Sequence, residues 1–188
     1  MKVCILSDSH DNRRLLGEAV EDARARGAEA VLHCGDVVAP TTLRVLRKYE
    51  LPVHVIHGNN MGDLYAMSKL SHEPDSVVRY HGQDAMLHLA GRAVFLVHYP
   101  HYAAAMALTG DFDLVCCGHD HRASIRQVNH VKGGITHLLN PGTVGGVGAV
   151  PTYILADLAG LTFEIREVPT APGEACNTPP VTVHEPPA

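Results

Sequence analysis

Val3-Cys4-Ile5-Leu6-Ser7-Asp8-Ser9-His10-Asp11-Asn12 decides how the chain begins to fold. The apolar run Val3 to Leu6 is short, holds two β-branched residues and ends on a polar cluster, which predicts a buried strand feeding a loop. Over residues 13–26 the period changes. Leu15, Leu16, Ala19, Val20 and Ala23 recur at the spacing of a helix with one buried face. Asp11 or Asn12 is placed to cap that helix, and Gly27 to end it. Ala30 to His33 reads as a second strand, closed by Gly35-Asp36. Pro40 opens a second helix, with Leu43, Val45, Leu46 and Tyr49 on its apolar side. Val53 to Ile56 is a third strand, closed by Gly58-Asn59-Asn60. The order β-α-β-α-β argues for a parallel, doubly wound sheet.

Beyond residue 60 strands dominate. Leu64 to Leu70 suits a short helix, Val77 to Tyr80 and Ala85 to Leu89 short strands, and Ala90-Gly91-Arg92 a tight turn into a strand over Ala93 to Val97. That strand stops at His98-Tyr99-Pro100, and residues 101–109 suit a helix ended near Gly110. Leu114 to Cys117 then delivers Gly118-His119-Asp120-His121. Ala123 to Val128, Ile135 to Leu139, Tyr153 to Asp157 and Leu161 to Val168 follow as strands, the last two joined by a hairpin turn at Asp157-Leu158-Ala159-Gly160. From Pro169 prolines crowd the sequence and apolar patterning stops. The expected organisation is one domain over 1–169 and a proline-rich flexible tail over 170–188.

The 188 residues suffice for one sizeable core, and an apolar fraction of 46% excludes a disordered chain. No apolar run is long enough to span a bilayer, and no basic segment leads into a long apolar one, so a cytoplasmic protein is expected. The formal charge of −5 gives no general attraction to nucleic acid or anionic membranes. No stable nucleic-acid complex is expected, and any phosphate chemistry must rest on local positive charge. Five cysteines without a CxxC pair form neither a disulfide framework nor a zinc ribbon. The 14 histidines are an excess that position has to sort.

Position does sort them. Asp8-Ser9-His10, Gly35-Asp36, Gly58-Asn59-Asn60, His98 and Gly118-His119-Asp120-His121 each follow an apolar run. In an open α/β sheet the carboxyl ends of the strands share one edge, where ligands bind. Asp8, His10, Asp36, Asn59, His98, His119 and His121 would then converge. Seven donors exceed what one ion can use while still admitting a substrate, whereas two ions sharing one carboxylate can use them all. Mixed oxygen and imidazole donors, with no thiolate, suit Mn²⁺, Fe²⁺, Co²⁺, Ni²⁺ or Zn²⁺, not Ca²⁺ or Mg²⁺ sites built of oxygen alone.

Asp-x-His, Gly-Asp, Gly-Asn, a lone His and Gly-His-x-His, in that order over residues 1–168, resemble the calcineurin-like metallophosphoesterases. With Asn140-Pro141-Gly142-Thr143 they are similar to the small prokaryotic phosphodiesterase branch. The resemblance implies a four-layer α/β/β/α sandwich with mixed sheets. It implies one ion on Asp8, His10, Asp36 and His121, and a second on Asp36, Asn59, His98 and His119, manganese being the first choice. It also implies in-line attack on a phosphate ester, of a small molecule or nucleotide, by a hydroxide bridging the ions. Two divalent ions carry +4. Asp8, Asp36 and the hydroxide offset three charges and leave about +1 to hold the ester. Small relatives form oligomers, so self-association is expected to be possible. The rival reading is a catalytically silent scaffold resembling a retromer subunit of the same fold. Scaffold members lose ligands, and all seven positions stand here.

Three positions depart from the pattern. Asn60-Met61 follows the Gly-Asn where a His or Cys-Asp is usual, and Asn cannot protonate a leaving alkoxide. Either the role is empty, so that poor leaving groups react slowly, or it passes to His57, His101 or His10. Tyr99-Pro100 follows His98 where Gly is usual, and Asp11 stands where Gly is common. Asn12, Asn140 and Arg122 are candidates to contact the substrate phosphate.

Overall fold

The computed structural model describes residues 1–169; the expected tail, 170–188, lies outside the described residues. Eleven strands form two sheets. In the first, β1 (Lys2–Leu6), β2 (Ala28–His33), β3 (Val53–Val55) and β4 (Val78–Tyr80) run parallel. β10 (Thr152–Asp157) joins β1 antiparallel, and β11 (Thr162–Glu167) joins β10. In the second, β6 (Arg92–Val97), β7 (Leu114–Cys116) and β9 (Gly134–Asn140) run parallel. β5 (Asp84–Leu89) and β8 (Ser124–His130) pair antiparallel at the two edges. The parallel, doubly wound order thus holds only for β1 to β4: β10 and β11 extend that sheet antiparallel and β5 to β9 build the partner, so both sheets are mixed, as the resemblance implies.

Val3, Ile5, Ala30 and Leu32 of the first sheet meet Val94, Leu96, Leu114 and Leu139 of the second in one buried cluster. The alternate residues Cys4, Leu6 and Val31 face α1 (Arg13–Ala25) and a 3₁₀ helix (Pro40–Tyr49) on the outer side, where Met67 and Leu70 of α2 (Leu64–Ser71) join the same cluster. Phe95, Val97, Val115 and Leu138 pack against Ala103 and Ala107 of α3 (Pro100–Thr109) on the other outer side. The period of two along each strand therefore serves two cores at once, giving four layers. Leu16 of α1 is fully buried, and truncating it to Ala would cost about 2–5 kcal/mol. Asn12 is the cap of α1: its Oδ1 accepts from the Leu15 amide at 3.2 Å. The second helix keeps its expected bounds but is wound as 3₁₀, over ten residues, long for that form.

Two departures from the motif pattern have local causes. Asp11 sits at φ +61, in the left-handed region that Asp tolerates better than most side chains. Its carboxylate accepts from the Ala39 amide at 2.9 Å and the Thr42 hydroxyl at 2.6 Å, tying the first loop to the 3₁₀ helix. Pro100 takes the first position of α3 behind Tyr99, where its missing N–H costs nothing.

Candidate metal centre

β1, β2 and β3 of one sheet and β6, β7 and β9 of the other point their carboxyl ends the same way, so loops from both sheets meet above the inter-sheet core. All seven expected donors come together there. Asp8, Asp36 and His98 are buried, His10 and His121 half-buried, and Asn59 and His119 exposed at the rim.

Two overlapping clusters result. In one, His121 Nε2 lies 3.3 Å from both Asp8 Oδ1 and His10 Nε2, and His10 Nε2 lies 3.8 Å from Asp8 Oδ1 and 3.9 Å from Asp36 Oδ2. In the other, His98 Nε2 lies 3.3 Å from Asp36 Oδ1 and 3.0 Å from Asn59 Oδ1, which is 2.7 Å from His119 Nδ1. Asp36 sends one oxygen to each cluster. Two donors bonded to one ion at about 2.0–2.2 Å lie about 3.0–3.4 Å apart, so the closer spacings fit a shared cation.

Proton positions sharpen that fit. His98 Nδ1 donates to the Cys34 carbonyl at 2.8 Å, and His121 Nδ1 donates to the Val147 carbonyl at 2.6 Å. A carbonyl only accepts, so each neutral ring carries its proton on Nδ1 and turns a bare Nε2 into the site, the outer-shell arrangement that orients metal-bound imidazoles. His98 Nε2 then faces acceptor oxygens of Asp36 and Asn59, lone pair against lone pair. The fully buried Asp8 Oδ1 receives no aligned hydrogen bond despite its 3.3 Å approach to His121. Without a cation between them these groups repel. In the chain alone a proton is the available substitute, and the Asp8 carboxylate holds His121 above its ordinary value. Burial pushes the Asp8 carboxyl up, but the approach of His121, the Ser7 hydroxyl, the charge of His98 and the His119 amide outweigh it, so it lies below its ordinary value.

Backbone geometry is unusual at the same residues. Asp8, His10, Asp36, His119 and His121 all have positive φ, between +41 and +75. Five of seven donors thus sit in a conformation that non-glycine residues rarely adopt. The loops are also packed tightly. A Cβ added at Gly58 would lie 2.1 Å from Asp36 Oδ1, and one at Gly118 2.0 Å from Ser7 Oγ.

The remaining candidates divide. Asn60 is bound to Asp36 twice: its amide N–H donates to Oδ1 at 2.9 Å and its side chain to Oδ2 at 2.6 Å. Motif reading looked for a leaving-group partner at residue 60 and had no signal for this contact, which depends on how the loop after β3 crosses Asp36. Asn12 and Asn140 are fully engaged, Asn12 with the Leu15 amide and the Gly145 carbonyl, Asn140 with Gly118, Asp120 and Gly142. Both brace the loops behind the donors. Arg122 is exposed next to His121. His57 lines a cavity beside His98, and its Nδ1 meets the Tyr80 hydroxyl at 2.6 Å. His101 is exposed against Tyr99 and Tyr102.

Comparison with known proteins places the fold. A phosphodiesterase of Methanocaldococcus jannaschii is 26% identical over 163 residues, covering 84% of this chain and 93% of its own. An archaeal phosphodiesterase structure superposes with a TM-score of 0.78 at 23% identity, covering 89% of this chain and 99% of that one. The vacuolar sorting protein Vps29 of Entamoeba histolytica, solved with zinc, superposes at 0.57 with 16% identity over 89% and 98%. The family description that matches residues 1–160 is the calcineurin-like phosphoesterase superfamily domain. Fold, strand-end motifs and that match over most of the described chain agree: this protein belongs to the calcineurin-like phosphoesterase superfamily.

Proposed function

We propose that the protein is a phosphodiesterase working with two divalent metal ions, manganese by preference, with iron, cobalt, nickel or zinc able to serve. One observation carries the reading: among the described residues two groups of donors converge, Asp8 with His10 and His121, and Asp8 with Asp36 and His98, and Asp8, common to both, has a buried Oδ1 with no hydrogen-bond partner. Asp8, His10, Asp36 and His121 would hold one ion; Asp36, Asn59, His98 and His119 the other. Ions held there lower the pKa of water from about 15.7 toward about 7 and neutralise phosphoryl oxygens. The chain's own part is positioning. Cys34 and Val147 carbonyls fix the rings of His98 and His121, and Asn60 fixes Asp36. Burial of Asp8, Asp36 and His98 keeps water from competing for the donors. His57 is a candidate to supply a proton to a leaving alkoxide: Tyr80 holds one ring nitrogen and the cavity borders the ring, while burial and the charge of His98 keep it below its ordinary value.

The reading extends a relative's activity to this chain, and metal content tests it directly. Protein purified and loaded with Mn²⁺ should hold about two ions per chain and hydrolyse bis(p-nitrophenyl) phosphate until EDTA is added. Less than one ion per chain with no chelator-sensitive hydrolysis would overturn it in favour of the scaffold.

A further inference from the structure

Val38 holds a backbone conformation that its side chain disfavours. Its φ is +71, in the left-handed region that β-branched residues avoid, and it lies just beyond Asp36 in the loop that carries that donor. Such a conformation persists only where neighbouring contacts fix it. Asp11 makes contacts on both sides of Val38. Its amide donates to the Val37 carbonyl at 3.3 Å, and its carboxylate accepts from the Ala39 amide at 2.9 Å. The same Oδ1 accepts from the hydroxyl of the fully buried Thr42 at 2.6 Å, which anchors it to the 3₁₀ helix. A glycine at residue 11 would suit the φ of +61 there but would supply no carboxylate.

The strained residue also meets the loop after β3. Val38 bridges Met61 in parallel, and Gly62 passes so near that a Cβ on it would lie 2.2 Å from the Val38 carbonyl oxygen. Met61 follows Asn60, which donates twice to Asp36. Contacts thus run from Asp11 through Val38 and Met61 to Asn60, and end on the Asp36 carboxylate. We propose that Asp11 is a positioning residue: by holding Val38 in its strained conformation it sets the loops that aim Asp36. The consequence for metal binding rests on the two-ion reading; the consequence for the metal-free chain does not. The competing role is a cap for the 3₁₀ helix, whose own first residue, Ala39, supplies no side-chain cap. A cap would act on Ala39 and Thr42 and stop there.

Amide hydrogen exchange of the metal-free protein, read by NMR at Ala39 and Asn60, separates the two roles. Asp11→Gly removes the acceptor without straining residue 11. Exchange should quicken about tenfold at both amides, although the Asn60 amide donates to Asp36 and not to Asp11. Asp11→Asn keeps a side-chain oxygen for both donors and should restore most of the protection. In a Val38→Gly background, where no strained side chain has to be held, Asp11→Gly should move Asn60 severalfold less. Calorimetric titration with Mn²⁺ should give a Kd about tenfold weaker for Asp11→Gly and near the wild-type value for Asp11→Asn. Faster exchange at Ala39 alone, with Mn²⁺ affinity unmoved, would overturn the proposal and leave Asp11 a helix cap. An undiminished effect on Asn60 in the Val38→Gly background would overturn it as well. Faster exchange at both amides in a protein that binds no Mn²⁺ even as wild type leaves the clamp assigned and removes the two-ion reading. Two ions bound by the wild type, with Asn60 unmoved in Asp11→Gly, does the reverse.

Discussion

Replacing Asn60 by Ala distinguishes two roles for that residue. The side-chain amide donates to Asp36 Oδ2 at 2.6 Å, and Asp36 is 1% exposed, so no water replaces the donor freely. A hydrogen bond to a charged, buried group contributes about 1.5–3 kcal/mol. Every 1.4 kcal/mol is tenfold, so if the loss falls on metal binding the affinity drops about 10- to 100-fold, the range seen for outer-shell partners of metal ligands. If it falls on the metal-free fold, the melting temperature drops by about 3–12 °C, at about 2–4 °C per kcal/mol for a domain of this size. The assay is hydrolysis of aryl phosphodiesters of graded leaving-group basicity against Mn²⁺ concentration, with thermal unfolding in EDTA alongside. The expected result is a shifted Mn²⁺ dependence, recovery of rate at saturating metal, and the same loss for every leaving group. A rate loss that grows with leaving-group basicity and ignores metal concentration would refute the positioning role and restore residue 60 to the leaving group.

Three other outcomes follow from the same geometry. Gly58→Ala should lower both melting temperature and metal affinity, because its Cβ would sit 2.1 Å from Asp36 Oδ1 and overpacking costs about 1–3 kcal/mol; unfolding and metal titration check it. His119→Ala with Asn59→Ala should retain about one ion per chain, whereas His119→Ala with His121→Ala should retain none, since His119 and Asn59 serve one cluster and His121 the other. His33 is fully buried and, chiefly by desolvation, pushed down to about 4 from 6.5. Its Nδ1 accepts from the Gly35 amide, so protonation would set two N–H groups against each other. The folded chain therefore binds fewer protons than the unfolded one between those values. The contribution, on the order of 3 kcal/mol, is complete above pH 6.5 and lost as pH falls toward 4. Melting in EDTA across that window should slope more steeply for the wild type than for His33→Gln.

The first half of the fold was legible because each strand and helix there carries its own period, and β1, β2 and β3 pair in chain order. The second half was legible as strands but not as a sheet. Periodicity records which residues are buried, not which strand lies alongside, and β7 passes over β8 to pair with β9. The 3₁₀ winding of Pro40–Tyr49 escaped for a related reason: three- and four-residue spacings bury the same side. At the site, the donors were visible because each follows a strand, and the structure brings every one of them to one place. Asn60 on Asp36 and Tyr80 on His57 were not visible, because both are contacts between segments more than 20 residues apart in sequence.

The positive φ angles carry an evolutionary consequence. At about 1 kcal/mol for each non-glycine residue in the left-handed region, five donors together hold on the order of 5 kcal/mol against folding, a large share of the 5–15 kcal/mol typical of whole domains. Mutation of any of them to glycine removes a candidate donor and relieves strain in one step. On the reading proposed above, loss of a donor is opposed only by the local contacts that donor makes, such as Asn60 on Asp36, so the intact set of seven would be kept by selection for turnover more than by stability.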